Sequence, residues 1–194
     1  MNEVATAQAL LAELEARGAI LEGHFKLSSG RHSNLFVQKF RILEDPRLVG
    51  RVAQTMVNAM RPYAPTIVVS AAVGGIVLGY ECARQLGTFG IFVEKQNGVP
   101  ALRRNFSVGP KDRVAIVEDV VTTGGSVREV IDVLNAHEAQ IVALGIIVRR
   151  APVVFEVPTI ALLDLPIESY DPAACPQCAA GEQLTEPGSR FLAP

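Results

Sequence analysis

Two adjacent carboxylates, Glu118 and Asp119, stand between an apolar run and a turn rich in hydroxyls and glycine. The run, Val114-Ala115-Ile116-Val117, reads as a buried strand. Val120 and Val121 follow the acids, and then comes Thr122-Thr123-Gly124-Gly125-Ser126. Beyond the turn, Val127, Val130, Ile131 and Leu134 recur at helical spacing. A strand, a glycine turn and a helix start are the parts of a phosphate cradle, because free N–H groups and the helix dipole both favour an anion there. Carboxylates beside a phosphate would repel it unless they face hydroxyls or a cation. The implied ligand carries a phosphate at one end and a sugar diol or Mg²⁺ at the other.

The rest of the chain supplies elements that position this stretch. Strand, small-residue turn and helix also occur at Thr66–Val69, Ser70–Gly75 and Ile76–Leu86, with Gly87 as the stop. This earlier turn, which includes Val73 and Gly74, has no carboxylate and no basic residue; it reads equally as a backbone anion site or as a packing turn. Gly90–Val93 is a further strand, and Glu94–Phe106 follows as a polar excursion. Asn97-Gly98 marks a type I′ hairpin inside it. Lys95, Arg103 and Arg104 make the excursion basic, which favours a flap closing over a ligand. Ile141–Val148 is a continuous apolar strand ended by Arg149-Arg150, and Thr159–Leu163 is another. Strands alternating with helices imply an α/β fold, a central mostly parallel sheet with helices on both faces. The strand ends at 70–75, at the acid–glycine turn and at Arg149-Arg150 then gather at one edge, where ligands bind.

Towards the N-terminus, residues 3–17 read as a helix and Asp45-Pro46 opens another, with an apolar face from Val49 to Met60. Between them lies a hairpin, basic at Lys26, Arg31, His32 and Lys39. It reads as a solvated hairpin or as a hood over a substrate. The 194 residues fit one domain, with a hood over about 18–42, a flap over about 94–106 and an irregular tail over about 171–194. A net charge of −2 gives no reason to expect nucleic acid or a membrane as partner. The longest apolar run, Thr66–Tyr80, is too short to span a bilayer, and the opening Met-Asn-Glu-Val-Ala-Thr lacks the basic start of a secretory signal. Three cysteines make no disulfide framework, so a cytoplasmic location is expected. Cys175-Pro-Gln-Cys178 is one Cys-x-x-Cys with no His nearby in the sequence. A structural zinc there would need two more ligands, for instance from a partner chain, so packing or a tail turn is the default. His24 reads as a surface histidine.

The central stretch, Val114 to Ser126, resembles the phosphoribosyl-pyrophosphate motif of the type I phosphoribosyltransferases: four hydrophobics, two acids, two hydrophobics, Thr and a glycine-rich run. The hairpin Gly-His-Phe-Lys-Leu-Ser-Ser-Gly-Arg-His-Ser is similar to the N-terminal signature of the orotate phosphoribosyltransferases. The tail Cys-Pro-Gln-Cys…Glu-Pro-Gly-Ser-Arg is similar to the ending of one short bacterial branch. The resemblance spans about residues 5–190. It implies transfer of a phosphoribosyl group from phosphoribosyl pyrophosphate to orotate, giving orotidine 5′-phosphate and pyrophosphate in pyrimidine synthesis. It places Glu118 and Asp119 on the ribose hydroxyls, with Val120 and Val121 beside them. Thr122, Thr123, Gly124, Gly125 and Ser126 then hold the 5′-phosphate. Mg²⁺ would be held mainly by substrate and water, as that ion prefers. Orotate contacts carry over to Thr122 and Arg150, and Phe36 matches an aromatic that packs on the base.

Two departures stand out. Where the family's pyrophosphate turn carries a Lys, this chain has Val73-Gly74 and only backbone groups. Where the family's flap carries Lys and His, this chain has Lys95, Arg103 and Arg104 and no His, so charge compensation passes to the arginines. The hairpin Lys of the pattern falls at Ser28, with Lys26 two residues away. The family's shared flap implies a homodimer with shared active sites. Two other readings stay open: transfer to another base, and a non-catalytic regulator that binds phosphoribosyl pyrophosphate.

Overall fold

The computed structural model describes residues 6–27 and 29–186. The first helix, α1 (Ala7–Ala16), is shorter than the helix expected over 3–17, whose first residues lie outside the described range. It starts where the Thr6 hydroxyl accepts from the Ala9 N–H. Then β1 (Ile20–Lys26) and β2 (His32–Val37) form the hood hairpin, an antiparallel sheet of their own. A short helix, α2 (Phe40–Leu43), leads to α3 (Pro46–Met60). Asp45 caps α3 by accepting from Arg47 N–H, and Pro46 fills the first turn, where no amide donor is needed.

The main sheet begins with β3 (Ile67–Ala71), followed by α4 (Gly75–Leu86), β4 (Phe89–Gln96) and β5 (Val99–Leu102). It continues with β6 (Arg113–Val121), α5 (Gly125–Ala136), β7 (Gln140–Arg149) and β8 (Thr159–Asp164). A last short helix, α6 (Pro176–Ala179), lies in the tail. The strand order is β5-β4-β3-β6-β7-β8, parallel except for β5. Alternate residues build two cores. Val68, Ala115 and Val117 join the core built with α1, α3 and α4, and Ile67, Val69, Val114 and Ile116 join the core built with α5. Burial on both faces explains why β6 opens as a run of unbroken apolar residues.

Two expectations change and a third is extended. The strand expected over Val114–Val117 runs on to Val121, because β7 is long enough to keep pairing with it. The expected flap hairpin forms, and it also extends the sheet: β5 pairs with β4 as the antiparallel edge, around a turn with positive φ at Asn97 and Gly98. His24, expected on the surface, is 3% exposed. The tail covers it, since Tyr170 bridges His32 on one edge of the hood and Thr185 bridges Phe25 on the other. Among the described residues no helix is long and apolar enough to cross a membrane.

From β3 the chain passes to one side of the sheet, and from β6 to the other. The strand order therefore reverses between β3 and β6, and a crevice opens at their C-terminal ends. Close packing beneath that crevice sets its shape. Ile147, fully buried in β7 within the core that includes α3, tests this. Ile147→Ala is expected to cost about 2–5 kcal/mol in urea unfolding. A loss below about 1 kcal/mol would mean that this layer tolerates a cavity and does not fix the strand ends.

Candidate active site

The acid pair sits where β6 outruns its neighbour. β3 pairs with β6 only from Ile67↔Val114 to Ser70↔Val117, while β7 follows β6 as far as Val121↔Arg149. Glu118 and Asp119 thus lie on strand backbone that has lost one partner, beside the turn that leaves β3. Their side chains alternate across the sheet. Asp119 is 1% exposed, and its Oδ1 accepts from Val120 N–H at 2.6 Å and from Lys39 Nζ at 3.2 Å. Its Oδ2 lies 3.0 Å from Lys39 Nζ but accepts no aligned hydrogen bond. Gly74 makes this possible: a Cβ there would sit 2.1 Å from Asp119 Oδ2 and 2.5 Å from Lys39 Nζ. Glu118 is also buried, and its Oε1 accepts from Asp119 N–H at 3.1 Å. Burial, and next the charge of Asp119, push the Glu118 carboxyl up to about 8.

Two helix starts open onto this crevice. Among the helices of ten or more residues, α1 and α3 carry side-chain caps from Thr6 and Asp45. In contrast α4 and α5, which follow β3 and β6, have Gly74 and Gly124 at the cap and no side-chain cap bond. Apart from Ile76 N–H, which donates to Val73 C=O at 3.2 Å, their first N–H groups are open to a ligand. Gly124 has φ +79, a left-handed conformation that swings the chain from strand into helix. Thr122, Thr123, Gly125 and Ser126 are exposed around it. Arg128 backs the turn, donating to Thr123 C=O at 2.7 Å while its guanidinium lies 5.3 Å from the Phe155 ring centre. Val73, in the other turn, is exposed.

The neighbouring strand end offers a cation. Arg149 is taken, donating to both carboxylate oxygens of Asp164 at 2.6 and 3.0 Å. Arg150 is 7% exposed and has no carboxylate partner among the described residues. Its Nε has no acceptor, and its Nη2 makes one long contact, 3.5 Å, to Leu35 C=O of the hood. Burial lowers its pKa. Arg150 N–H donates to Val121 C=O at 2.8 Å, which sets the Arg beside Thr122. Phe36, next to Leu35, is half-buried and packs on Phe25 with ring centres 5.8 Å apart. The flap residues are held elsewhere. Lys95 pairs with Glu129 of α5 at 2.7 Å, Arg104 with Glu94 at 2.8 Å, and Arg103 lies 3.7 Å from the same Glu94. None of the three bonds to Glu118 or Asp119.

The chain is similar to known proteins in sequence and in fold. The Phosphoribosyl transferase domain family matches residues 41–154. The orotate phosphoribosyltransferase of Thermotoga maritima is 46% identical over 181 residues, 92% of this chain and 97% of the relative. That of Chlorobium phaeobacteroides is 43% identical, over 95% of this chain and 96% of the relative. The crystal structure of orotate phosphoribosyltransferase from Aeropyrum pernix superposes with a TM-score of 0.69 at 25% identity, covering 80% of this chain and 93% of that one. The chain belongs to the orotate phosphoribosyltransferase family.

Membership leaves the details of this enzyme's own site to its residues. Lys39 escapes a reading of the sequence: it is one of several basic residues near the hood, and only the fold brings it 80 positions along the chain to Asp119. Lys26 pairs with Glu186 at 2.6 Å, and Ser28 lies outside the described residues. Gly74→Ala must displace Asp119 or Lys39, so kcat/KM is expected to fall on the order of a hundredfold with the fold intact by circular dichroism. Unchanged kinetics would mean that the turn and the acid are not coupled.

Glu118 generates a second expectation. Its folded pKa of about 8 lies above the ordinary 4.5, so between these values the folded protein holds a proton the unfolded chain has lost. The stability this contributes is full below about 4.5 and is lost as pH rises through about 8. Glu118→Gln has no proton to lose. The Tm of the variant relative to the parent, both ligand-free, is expected to climb across that window; a flat difference would remove Glu118 as its source.

Proposed function

We propose that the crevice between β3 and β6 binds phosphoribosyl pyrophosphate and that Arg150, Thr122 and Phe36 bind orotate beside it. The enzyme transfers the phosphoribosyl group to orotate, forming orotidine 5′-phosphate and pyrophosphate in pyrimidine biosynthesis. The observation that carries the site assignment is the buried guanidinium of Arg150, which lacks a carboxylate in the protein. A buried unpaired cation is costly, and a planar carboxylate ligand matches its fork. Orotate offers that carboxylate, whereas adenine, guanine and uracil carry none.

In this reading the 5′-phosphate rests on the uncapped start of α5, among Thr122, Thr123, Gly124, Gly125 and Ser126. Pyrophosphate lies toward Val73, Gly74 and the start of α4. Glu118 and Asp119 accept from the ribose 2′- and 3′-hydroxyls, with Val120 and Val121 completing the contact. As pyrophosphate leaves, positive charge grows on the ribose, and the two carboxylates stabilise it. The nitrogen of orotate then bonds to the same carbon, on the face that Arg150 and Phe36 present. The buried Asp119 Oδ2, which accepts no hydrogen bond, and Glu118 are hard oxygen donors of the kind Mg²⁺ accepts, chiefly through water. Mg²⁺ bound with the substrate supplies charge neutralisation for pyrophosphate.

The chain works as one domain, with the hood over about 18–42, the flap over about 94–106 and the tail over about 171–194. It acts as a homodimer in which Lys95, Arg103 and Arg104 serve the partner's pyrophosphate. That these three pair with Glu129 and Glu94 and not with Glu118 or Asp119 supports this division. A reducing cytoplasm suits the three unpaired cysteines.

An absorbance assay of orotate with phosphoribosyl pyrophosphate and Mg²⁺, run in parallel with adenine, guanine and uracil, is expected to show turnover of orotate alone. Arg150→Ala should raise the KM for orotate by about two orders of magnitude and that for phosphoribosyl pyrophosphate far less. Arg149→Ala, which only frees Asp164, should leave the KM for orotate within about twofold. Equal effects from the two arginines would refute the orotate assignment. Arg103→Ala and Arg104→Ala are expected to lower kcat; full rates in both would remove the flap from pyrophosphate binding.

A further inference from the structure

Far along the sequence from the acid pair, four soft ligands meet. His24 of β1, His32 of β2, Cys175 and Cys178 each offer one atom to a cluster within 4.8 Å of one another. His24 Nε2 lies 3.1 Å from His32 Nδ1, 3.4 Å from Cys175 Sγ and 3.6 Å from Cys178 Sγ. Cys178 Sγ lies 3.2 Å from His32 Nδ1. Around a tetrahedral ion with ordinary zinc bond lengths, two nitrogens sit about 3.3 Å apart and a nitrogen and sulfur about 3.6 Å apart. These four spacings match those figures to within about half an ångström, and the whole set lies within 4.8 Å, so only a small inward shift closes it around an ion.

Hydrogen bonding alone does not account for the cluster. His24 Nδ1 lies 3.0 Å from Glu182 C=O, which can only accept, so Nδ1 carries the proton. In the neutral ring Nε2 is then bare, with a single lone pair, yet three neighbours crowd it. One lone pair takes one donor; a cation at the centre takes all four groups. The carbonyl behind Nδ1 is also the usual support for a metal-bound imidazole, since it fixes the tautomer and the ring.

Packing points the same way. Among the described residues from Asp171 to Glu186, Cys175 alone is buried, at 3% exposure. This segment nevertheless follows a defined path: it bridges to the hood at Tyr170 and again at Thr185, with α6 between. A stretch that buries almost no apolar surface needs another source of stability.

We propose that His24, His32, Cys175 and Cys178 form a structural zinc site that staples the C-terminal tail to the hood hairpin. Two thiolates and two imidazoles in a tetrahedron select Zn²⁺ over hard cations such as Mg²⁺. Binding releases the two thiol protons to solvent. All four protein ligands fill the coordination sphere, which marks a structural and not a catalytic ion. The site is independent of the assignment of Arg150.

The full chain, freed of any affinity tag and gel-filtered after growth with zinc, is expected to carry about one zinc per chain by mass spectrometry of the elements. Loading the metal-free chain with Co²⁺ should give thiolate charge-transfer absorption and the intense visible bands of a tetrahedral site. Cys178→Ser, at an exposed position, should lose those bands and most of the zinc. Stripping zinc from the parent with a thiol-specific mercurial should lower its Tm. Zinc below about a tenth of an equivalent, together with the weak pink spectrum of octahedral cobalt in the parent, would overturn the proposal. The cobalt spectrum is read on the parent protein, so the outcome does not depend on how the variant folds.

Discussion

The contact between Asp119 and Lys39, pressed against Gly74, is the constraint on which the site depends. It joins three parts of the chain that share no local sequence: the exit from the hood, the overrunning end of β6 and the turn leaving β3. A buried carboxylate without a cation would be very costly, and a side chain at position 74 would force the three apart. The sheet order supplies the room. Because β3 stops pairing at Ser70↔Val117, the next residues of β6 face a turn instead of a strand.

The same contact resolves an electrostatic conflict. The helix starts proposed to hold the phosphates lie beside two carboxylates, which should repel a phosphate. In the ligand-free protein, however, Lys39 offsets Asp119, and burial beside Asp119 favours the neutral form of Glu118. The pair then presents little net charge to an incoming polyanion. Charge appears on Glu118 when a cation or a ribose with growing positive charge favours the ionised form. The absence of side-chain caps on α4 and α5 complements this: an Asp cap like Asp45 of α3 would consume the donors and add a repelling charge.

Much of this was legible in the sequence. Parallel strands buried on both faces announce themselves as apolar runs, and Asn97-Gly98 fixes a hairpin by its φ requirement alone. What stayed hidden depends on separations that no local pattern records. The extension of β6 to Val121 follows from pairing with β7, not from its own residues. Lys39 is indistinguishable from Lys26, the other hood lysine, until the fold delivers it to Asp119. The basic flap residues read as free cations, although Glu94, only ten residues before Arg104, was visible as a partner. His24 reads as exposed because the tail segment that covers it is about 160 residues away, and for the same reason the Cys pair has no histidine near it in the sequence.

Those long separations give the hood its mechanical role. Within the six residues of β2, His32 faces the tail cluster and Leu35 receives Arg150. A second path runs beside it: Ile167 N–H donates to Arg150 C=O, Ser33 Oγ donates to Glu168 C=O, and Tyr170 exchanges backbone bonds with His32. The segment between β8 and the tail is therefore stitched to both the end of β7 and the hood. Leu165 and Ile167 of this segment pack against the core, whereas beyond Tyr170 the anchorage is backbone bonds and the cluster proposed to hold zinc. A loosened tail would release β2, and with it the Leu35 carbonyl and the Phe36 ring that flank the proposed orotate site. Order at the far end of the hood and binding at its near end are then parts of one lever, with β2 as the rigid arm.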